Sequence, residues 1–310
     1  IDPSANEEKK FTITLGESTN SIIGRLWEEG LINDQTAFRL YLQYTGLDTS
    51  LQAGEYRLSP AMSPIQIAHA LQDATPMEVT FIILPGWRLE EIAAALPTSG
   101  LSITPEEFLA AAQSYSGRAD ITVQIPAHAS LEGFLFPGSY TLPRQTNVNQ
   151  MLEIFVNNFA ANISTELLQA FEKQDLTLYE AITLASIVER EALQDEEKPL
   201  ISSVFLNRLK AGMRLDADPT VQYALGYRPE RGGWWPVPLT RTDLQIDSPY
   251  NTYIYPGLPP GPIANPGLTA IQAVAFPAQT PYYYFRAACD GSKKHIFART
   301  YEEHISNACP

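Results

Sequence analysis

The sequence is poor in cysteine, in histidine and in positive charge, and it has no long apolar run. Four histidines occur, His69, His128, His295 and His304, without metal-ligand spacing. With only two cysteines, Cys289 and Cys309, they give no zinc pattern, so neither a metal nor a cofactor is expected. Lys and Arg total 21 against 35 Asp and Glu, a formal charge of −14. Nucleic acid, whose phosphates require a basic surface, is a poor partner for such a chain, whereas neutral or mixed-charge ligands such as glycans stay open. No apolar stretch approaches the roughly 20 residues of a membrane span, and no signal peptide is recognisable. The chain opens on the polar IDPSANEEKK, which reads as a linker (1–10) to an anchor outside this sequence. The two cysteines read either as free thiols or, preferably, as a disulfide stapling the C-terminal segment in an oxidising compartment.

What is present is enough apolar residue, 45% of 310 positions, for two domains or one large one. The chain is organised around residues 176–193, LTLYEAITLASIVEREAL, which read as a long helix. At roughly 100° per residue, Leu184, Ile187, Val188 and Glu191 share a face. Glu191 thus continues an apolar stripe, while Glu189 points away and is expected in solvent. A carboxyl against apolar walls favours its neutral form, which makes Glu191 a candidate general acid. The plainer alternative is a packed stem with its head in water at a fraying helix end.

Taken in order, FTITLG (11–16) alternates as a strand, and Ser18 or Thr19 caps a helix through Trp27. Asn33 and Asp34 start a second helix. LQAGEYRLSP reads as turn and strand, and Ser63 with Pro64 opens a short helix. The opening pattern then returns at an offset of 70: Phe11 with Phe81, Ile13 with Ile83, Gly16 with Gly86, Ile22 with Ile92, Leu26 with Leu96, Gly30 with Gly100, Leu31 with Leu101 and Phe38 with Phe108. This is a repeated strand–helix–helix unit, either a binding module or a duplicated spacer. Residues 115–130 read as a connection, LEGFLFPGSYTLP (131–143) as turn-like, 149–174 as a helix pair, and EEKPLISSVFLNRLKAGMRL as a further helix. From 213 onward Pro, Gly, Tyr and Asn dominate, and long functional loops are expected. There Tyr250, Asn251 and Tyr253 offer flat apolar faces beside hydrogen-bonding groups, as sugar rings need. The C-terminus reads as a hairpin, TPYYYFRA with KHIFAR, and a last helix.

The segments LEGFLFPGSY, LASIVEREA, VFLNRLKAGMRLDADPTVQYALG, SPYNTYIYPGLPPGPIANPGL, FPAQTPYYYF and HIFARTYEEH together resemble the MltG/YceG-like endolytic murein transglycosylases, in that family's order, from about 131 to 304. The N-terminal part is similar, more loosely, to the family's LysM-like subdomain. The resemblance implies an α+β fold. It consists of a LysM-like subdomain (11–78), a second copy of the small unit (79–115), and a catalytic domain (116–310) with a central helix and long Pro/Gly/Tyr-rich loops. It also implies cleavage of the MurNAc-β-1,4-GlcNAc bond in nascent peptidoglycan with 1,6-anhydro ends. The second Glu of the S-I-x-E-x-E segment is then the acid, here Glu191. The family is anchored in the bacterial inner membrane with its domain outside the cytoplasm. Peptidoglycan glycan strands are the implied partner, with the synthesis machinery beside them.

Glu132, Asn207, Arg208, Tyr250, Asn251, Tyr253 and His295 are the candidate supporting residues of the sugar cleft. Asp218, before Pro219, reads first as a turn-fixing residue. Two other functions compete: a hydrolase pairing Glu191 with Glu132 or Asp218, and a glycan-binding scaffold without catalysis.

Overall fold

Side-chain caps decide where the helices begin. In the computed structural model, which describes residues 8–74, 78–116, 125–126 and 129–309, Ser18 accepts from the Ser21 N–H to start α1 (Thr19–Glu28). Asp34 starts α2 (Gln35–Thr45), and Ser63 with Gln66 forms a reciprocal capping box at α3 (Pro64–Ala70), with proline in the first turn. Strand β1 (Lys9–Ile13) pairs antiparallel with β2 (Gly54–Leu58), Phe11 opposite Tyr56. Most of the linker 1–10 and most of the connection 115–130, His128 included, lie outside the described residues.

The chain divides into two compact units, 1–79 with 141–144, and 80–140 with 145–310. The first has its own core of Phe11, Ile22, Ile23, Leu26, Phe38, Leu42, Leu58 and Ile67. The boundary falls within β3 (Glu78–Ile83) and β4 (Gly138–Pro143), which pair with each other.

The repeat read at an offset of 70 is a repeat of structure. β3, α4 (Leu89–Ala95) and α5 (Pro105–Gln113) follow β1, α1 and α2 at that spacing. The matched apolar residues Phe81, Ile83, Ile92, Leu96, Leu101 and Phe108 are buried, as are their six counterparts. The matched glycines share left-handed backbone, Gly16 at φ 80° with Gly86 at 79°, and Gly30 at 71° with Gly100 at 84°. A side chain at those turns would be strained, which is why glycine recurs there.

In the second unit α6 (Val148–Asn162) and α7 (Thr165–Glu172) lead into α8 (Leu178–Glu191), which starts at a Thr177–Glu180 capping box. Helices α7, α9 (Lys198–Lys210), α10 (Asp218–Leu225) and α11 (Leu268–Ala275) all pack on α8. Nine of its fourteen residues are buried, on every side rather than in one stripe. That explains one correction. Glu189, expected in solvent, has only 10% of its side chain exposed. It takes 3.1 Å contacts from the Lys198 ammonium and a 3.0 Å hydrogen bond from the Gly267 N–H. A second correction concerns the stretch after 213, read as loop. It carries α10 and α11, with Pro219 in a first turn where its missing N–H has no cost. The molecule closes with β5 (Tyr284–Ala287) paired to β6 (His295–Ala298), then α12 (Tyr301–Ser306).

Candidate active site

The last residue of α8 opens onto a cleft of about 240 Å3 lined by Glu191, Arg208, Asp216, Asp218, Tyr253 and His295, with the β5 face beside them. Leu184, Ile187 and Val188 anchor the helix in the core, so Glu191 is carried to the cleft on a rigid element. Its side chain is half-buried and takes no hydrogen bond among the described residues. Burial pushes its carboxyl up to about 8, the Asp218 charge adds to the rise, and the Arg208 charge opposes it. At neutral pH Glu191 therefore holds a proton it shares with no neighbour, as a general acid must.

Arg208 is fixed by main-chain carbonyls. Its Nε donates to Tyr283 O at 2.6 Å and one terminal nitrogen to Leu215 O at 2.7 Å. Asp216 lies 3.6 Å from it. Burial lowers the Arg208 guanidinium and raises the Asp216 carboxyl, and in each case the other's charge opposes the shift. Asp216 is one of three non-glycine residues with positive φ among those described, at 46°. The turn there is held from outside: the Asp216 N–H donates to Thr252 O at 3.3 Å, the Ala217 N–H to Thr252 Oγ1 at 3.0 Å, and the Thr220 and Thr252 hydroxyls meet at 2.9 Å. Asp218 follows. Its Oδ1 accepts the Tyr253 hydroxyl at 2.6 Å, and the phenol is held above its ordinary range by burial and by that carboxylate.

Three of the residues expected to touch sugar thus line the cleft: Arg208, Tyr253 and His295. The His295 ring Nδ1 meets Glu197 Oε2 at 2.9 Å and its backbone N–H donates to Glu197 Oε1 at 2.7 Å. The other four do not line it. Asn251 is fully buried and spends its amide on Leu244 O, Ile246 O and the Tyr253 N–H. It shapes the turn that presents Thr252 and Tyr253. Asn207 donates to Thr280 O and Tyr282 O, both at 2.9 Å, tethering the approach to β5. Cys289 and Cys309 are disulfide-bonded, joining the end of β5 to the residues after α12.

Glu132 and Tyr250 belong to a separate cluster. Glu132 is 3% exposed and accepts from the Leu89 N–H at 3.2 Å, Asn265 Nδ2 at 3.3 Å and the Tyr223 hydroxyl at 3.4 Å. Burial pushes it up to about 8, helped by Glu90 and opposed by Leu89, Arg88 and Tyr223. Tyr250 packs on Tyr223 at 4.8 Å, and the Arg88 guanidinium sits 4.1 Å over Tyr223. The glycine after Glu132 has φ 86°, and a Cβ there would come within 2.6 Å of Pro262, so the EGFLFP segment is shaped by close packing.

Sequence reasoning passed over Asp216, Thr252 and Glu197, and read Asp218 first as a turn-fixing residue, with a catalytic part only in the hydrolase alternative. None lies on a periodic face; the D-A-D-P spacing was the one available signal. Among the described residues no three His, Cys, Asp or Glu side chains gather to hold a metal ion.

Comparison with known proteins adds four findings. A family model described as the YceG-like family matches residues 11–309. An endolytic murein transglycosylase of Bacillus subtilis is 30% identical over 98% of this chain and 86% of its own length. One of Streptococcus pneumoniae is 30% identical over 98% of this chain, which spans 58% of that protein. The crystal structure of a YceG-like protein from Listeria monocytogenes superposes with a TM-score of 0.63 at 32% identity, covering 97% of this chain and 99% of that one.

Proposed function

Because the chain belongs to the YceG-like family, we propose that it is a peptidoglycan lytic transglycosylase, and that Glu191 is its acid. The observation that carries this is a carboxyl at the end of the buried helix that faces an open cleft without a hydrogen-bond partner among the described residues, where burial favours its neutral form. In the reaction Glu191 protonates the oxygen leaving the muramyl C1, and the C1–O bond breaks. The C6 hydroxyl of the same sugar attacks C1 and closes a 1,6-anhydro ring. The Glu191 carboxylate takes the C6 proton. One carboxyl serves both steps, and a nucleophile inside the substrate needs no bound water and little ordering entropy.

The same reading has the protein act outside the cytoplasm, at the inner membrane and beside peptidoglycan synthesis. Among the described residues no helix is long and apolar enough to cross a membrane. The disulfide supports an oxidising compartment. The N-terminal strand–helix–helix units are, on this reading, LysM-like modules that hold glycan strands.

The test is product analysis on uncrosslinked glycan strands by mass spectrometry. The wild-type protein is expected to release anhydro-muramyl ends and Glu191→Gln none. Reducing ends one water heavier would make it a hydrolase, and undiminished cleavage by the variant would remove Glu191 from the chemistry.

A further inference from the structure

Glycosidic cleavage by one acid leaves a charge unanswered. As the C1–O bond lengthens, the anomeric carbon becomes cationic, and a site that stabilises it carries negative charge where the acid is neutral. The cleft holds such a pair of carboxyls. Glu191 is neutral at pH 7, with burial as the cause. Asp218 is exposed at the first turn of α10, and its Oδ1 is fixed by the Tyr253 hydroxyl at 2.6 Å. Both carboxyls and that phenol line the same 240 Å3 cleft.

Resting on the transglycosylase reading, we infer that the Asp218 carboxylate, positioned by the Tyr253 phenol, is a second working group of the site and stabilises the positive charge at the anomeric carbon. Asp218 forms no bond and moves no proton. The Glu191 proton goes to the leaving oxygen together with the bonding pair of the broken C1–O bond. The C6 oxygen bonds to C1, and its proton returns to Glu191. The same Asp218 charge disfavours ionisation of Glu191, so one carboxylate keeps the acid loaded and answers the cation that the acid creates. The other groups facing Glu191 are Arg208 from α9, Asp216 before α10, Tyr253, Arg286 from β5 and His295 from β6. Two of these are cations, and Arg208 counts as the main opposing charge. Asp218 is the cleft anion whose orientation a tyrosine fixes.

Asp218→Asn tests this, because the amide oxygen still accepts from Tyr253 and only the charge is lost. With Glu191→Gln run alongside, kcat for anhydro-end release should fall about 100-fold while KM stays within about threefold. The alkaline limb of the pH profile should move to lower pH, since removing a neighbouring anion lowers the Glu191 pKa. Tyr253→Phe, which leaves the charge but frees it to turn, should lower kcat about tenfold, and it decides the matter by the same readouts should Asp218→Asn unfold. Retention of kcat within about threefold and an unmoved alkaline limb in both variants would overturn the role of Asp218, while the transglycosylase reading stands as long as anhydro ends form and depend on Glu191. Absence of anhydro ends from the wild-type protein would instead overturn both.

Discussion

Glu132 and Glu191 are two carboxyls that burial treats alike and that the surroundings use differently. Each is pushed up to about 8. Glu191 has an open cleft and no hydrogen-bond partner, whereas three donors and a wall of aromatic rings enclose Glu132, so only the first is free to exchange its proton with a substrate. The enclosed one predicts a pH dependence of stability. In the unfolded chain Glu132 ionises near its ordinary value, while in the folded protein it stays neutral until about pH 8. Its contribution is fully present below the unfolded value and is lost as pH rises towards 8. Thermal midpoints should therefore fall between pH 5 and pH 8, at about 2–4 °C per kcal/mol for a domain of this size. Glu132→Gln should flatten that fall. An unchanged slope would mean that the folded protein keeps Glu132 ionised on its three donors.

At the scale of elements, the cleft is an assembly of segment ends: the C-terminus of α8, the turn into α10, the turn around Asn251, and the β5–β6 hairpin. Two fasteners are specific enough to test. The buried Lys198–Glu189 pair links α9 to the end of α8 at 3.1 Å. Lys198→Met would leave Glu189 with only the Gly267 N–H, and an unpaired buried charge costs about 3–5 kcal/mol. Urea unfolding should show that loss, and much of it should return when Glu189→Leu is added. The Cys289–Cys309 bond closes a segment with a sequence separation of 20. Loop-closure entropy assigns it roughly 3 kcal/mol. The Cys289→Ser/Cys309→Ser protein should melt correspondingly lower, and reductant should lower the melting point of the wild type but not of the variant.

Helices and strands with strong local signals were legible in the sequence. Ser18, Asp34 and Ser63 capped where short polar residues precede apolar spacing, the hairpin formed across its Asp-Gly turn, and the repeat at 70 residues proved structural down to its glycines. What was not legible was contact between distant segments. Glu189 pairs with a lysine on the next helix and a backbone amide near residue 267, so helical periodicity alone placed it in solvent. Helices α10 and α11 hide in Pro- and Gly-rich surroundings because tertiary packing, not propensity, holds them. Asn251 carried the chemistry of a sugar ligand in its residue type, yet its amide is consumed by its own turn.

For the whole molecule, the proposed activity comes down to one claim: that an acid kept neutral by burial at the end of a helix does the cleavage. The measurement that addresses it most directly is the pH dependence of kcat/KM for anhydro-end release, which reports the free enzyme's acid. The predicted profile holds through neutral pH and falls tenfold per pH unit above a midpoint of about 8, with cleavage absent at every pH in Glu191→Gln. A fall centred near pH 4–5, where an ordinary carboxyl titrates, or a Glu191→Gln protein that keeps the wild-type profile, would contradict it.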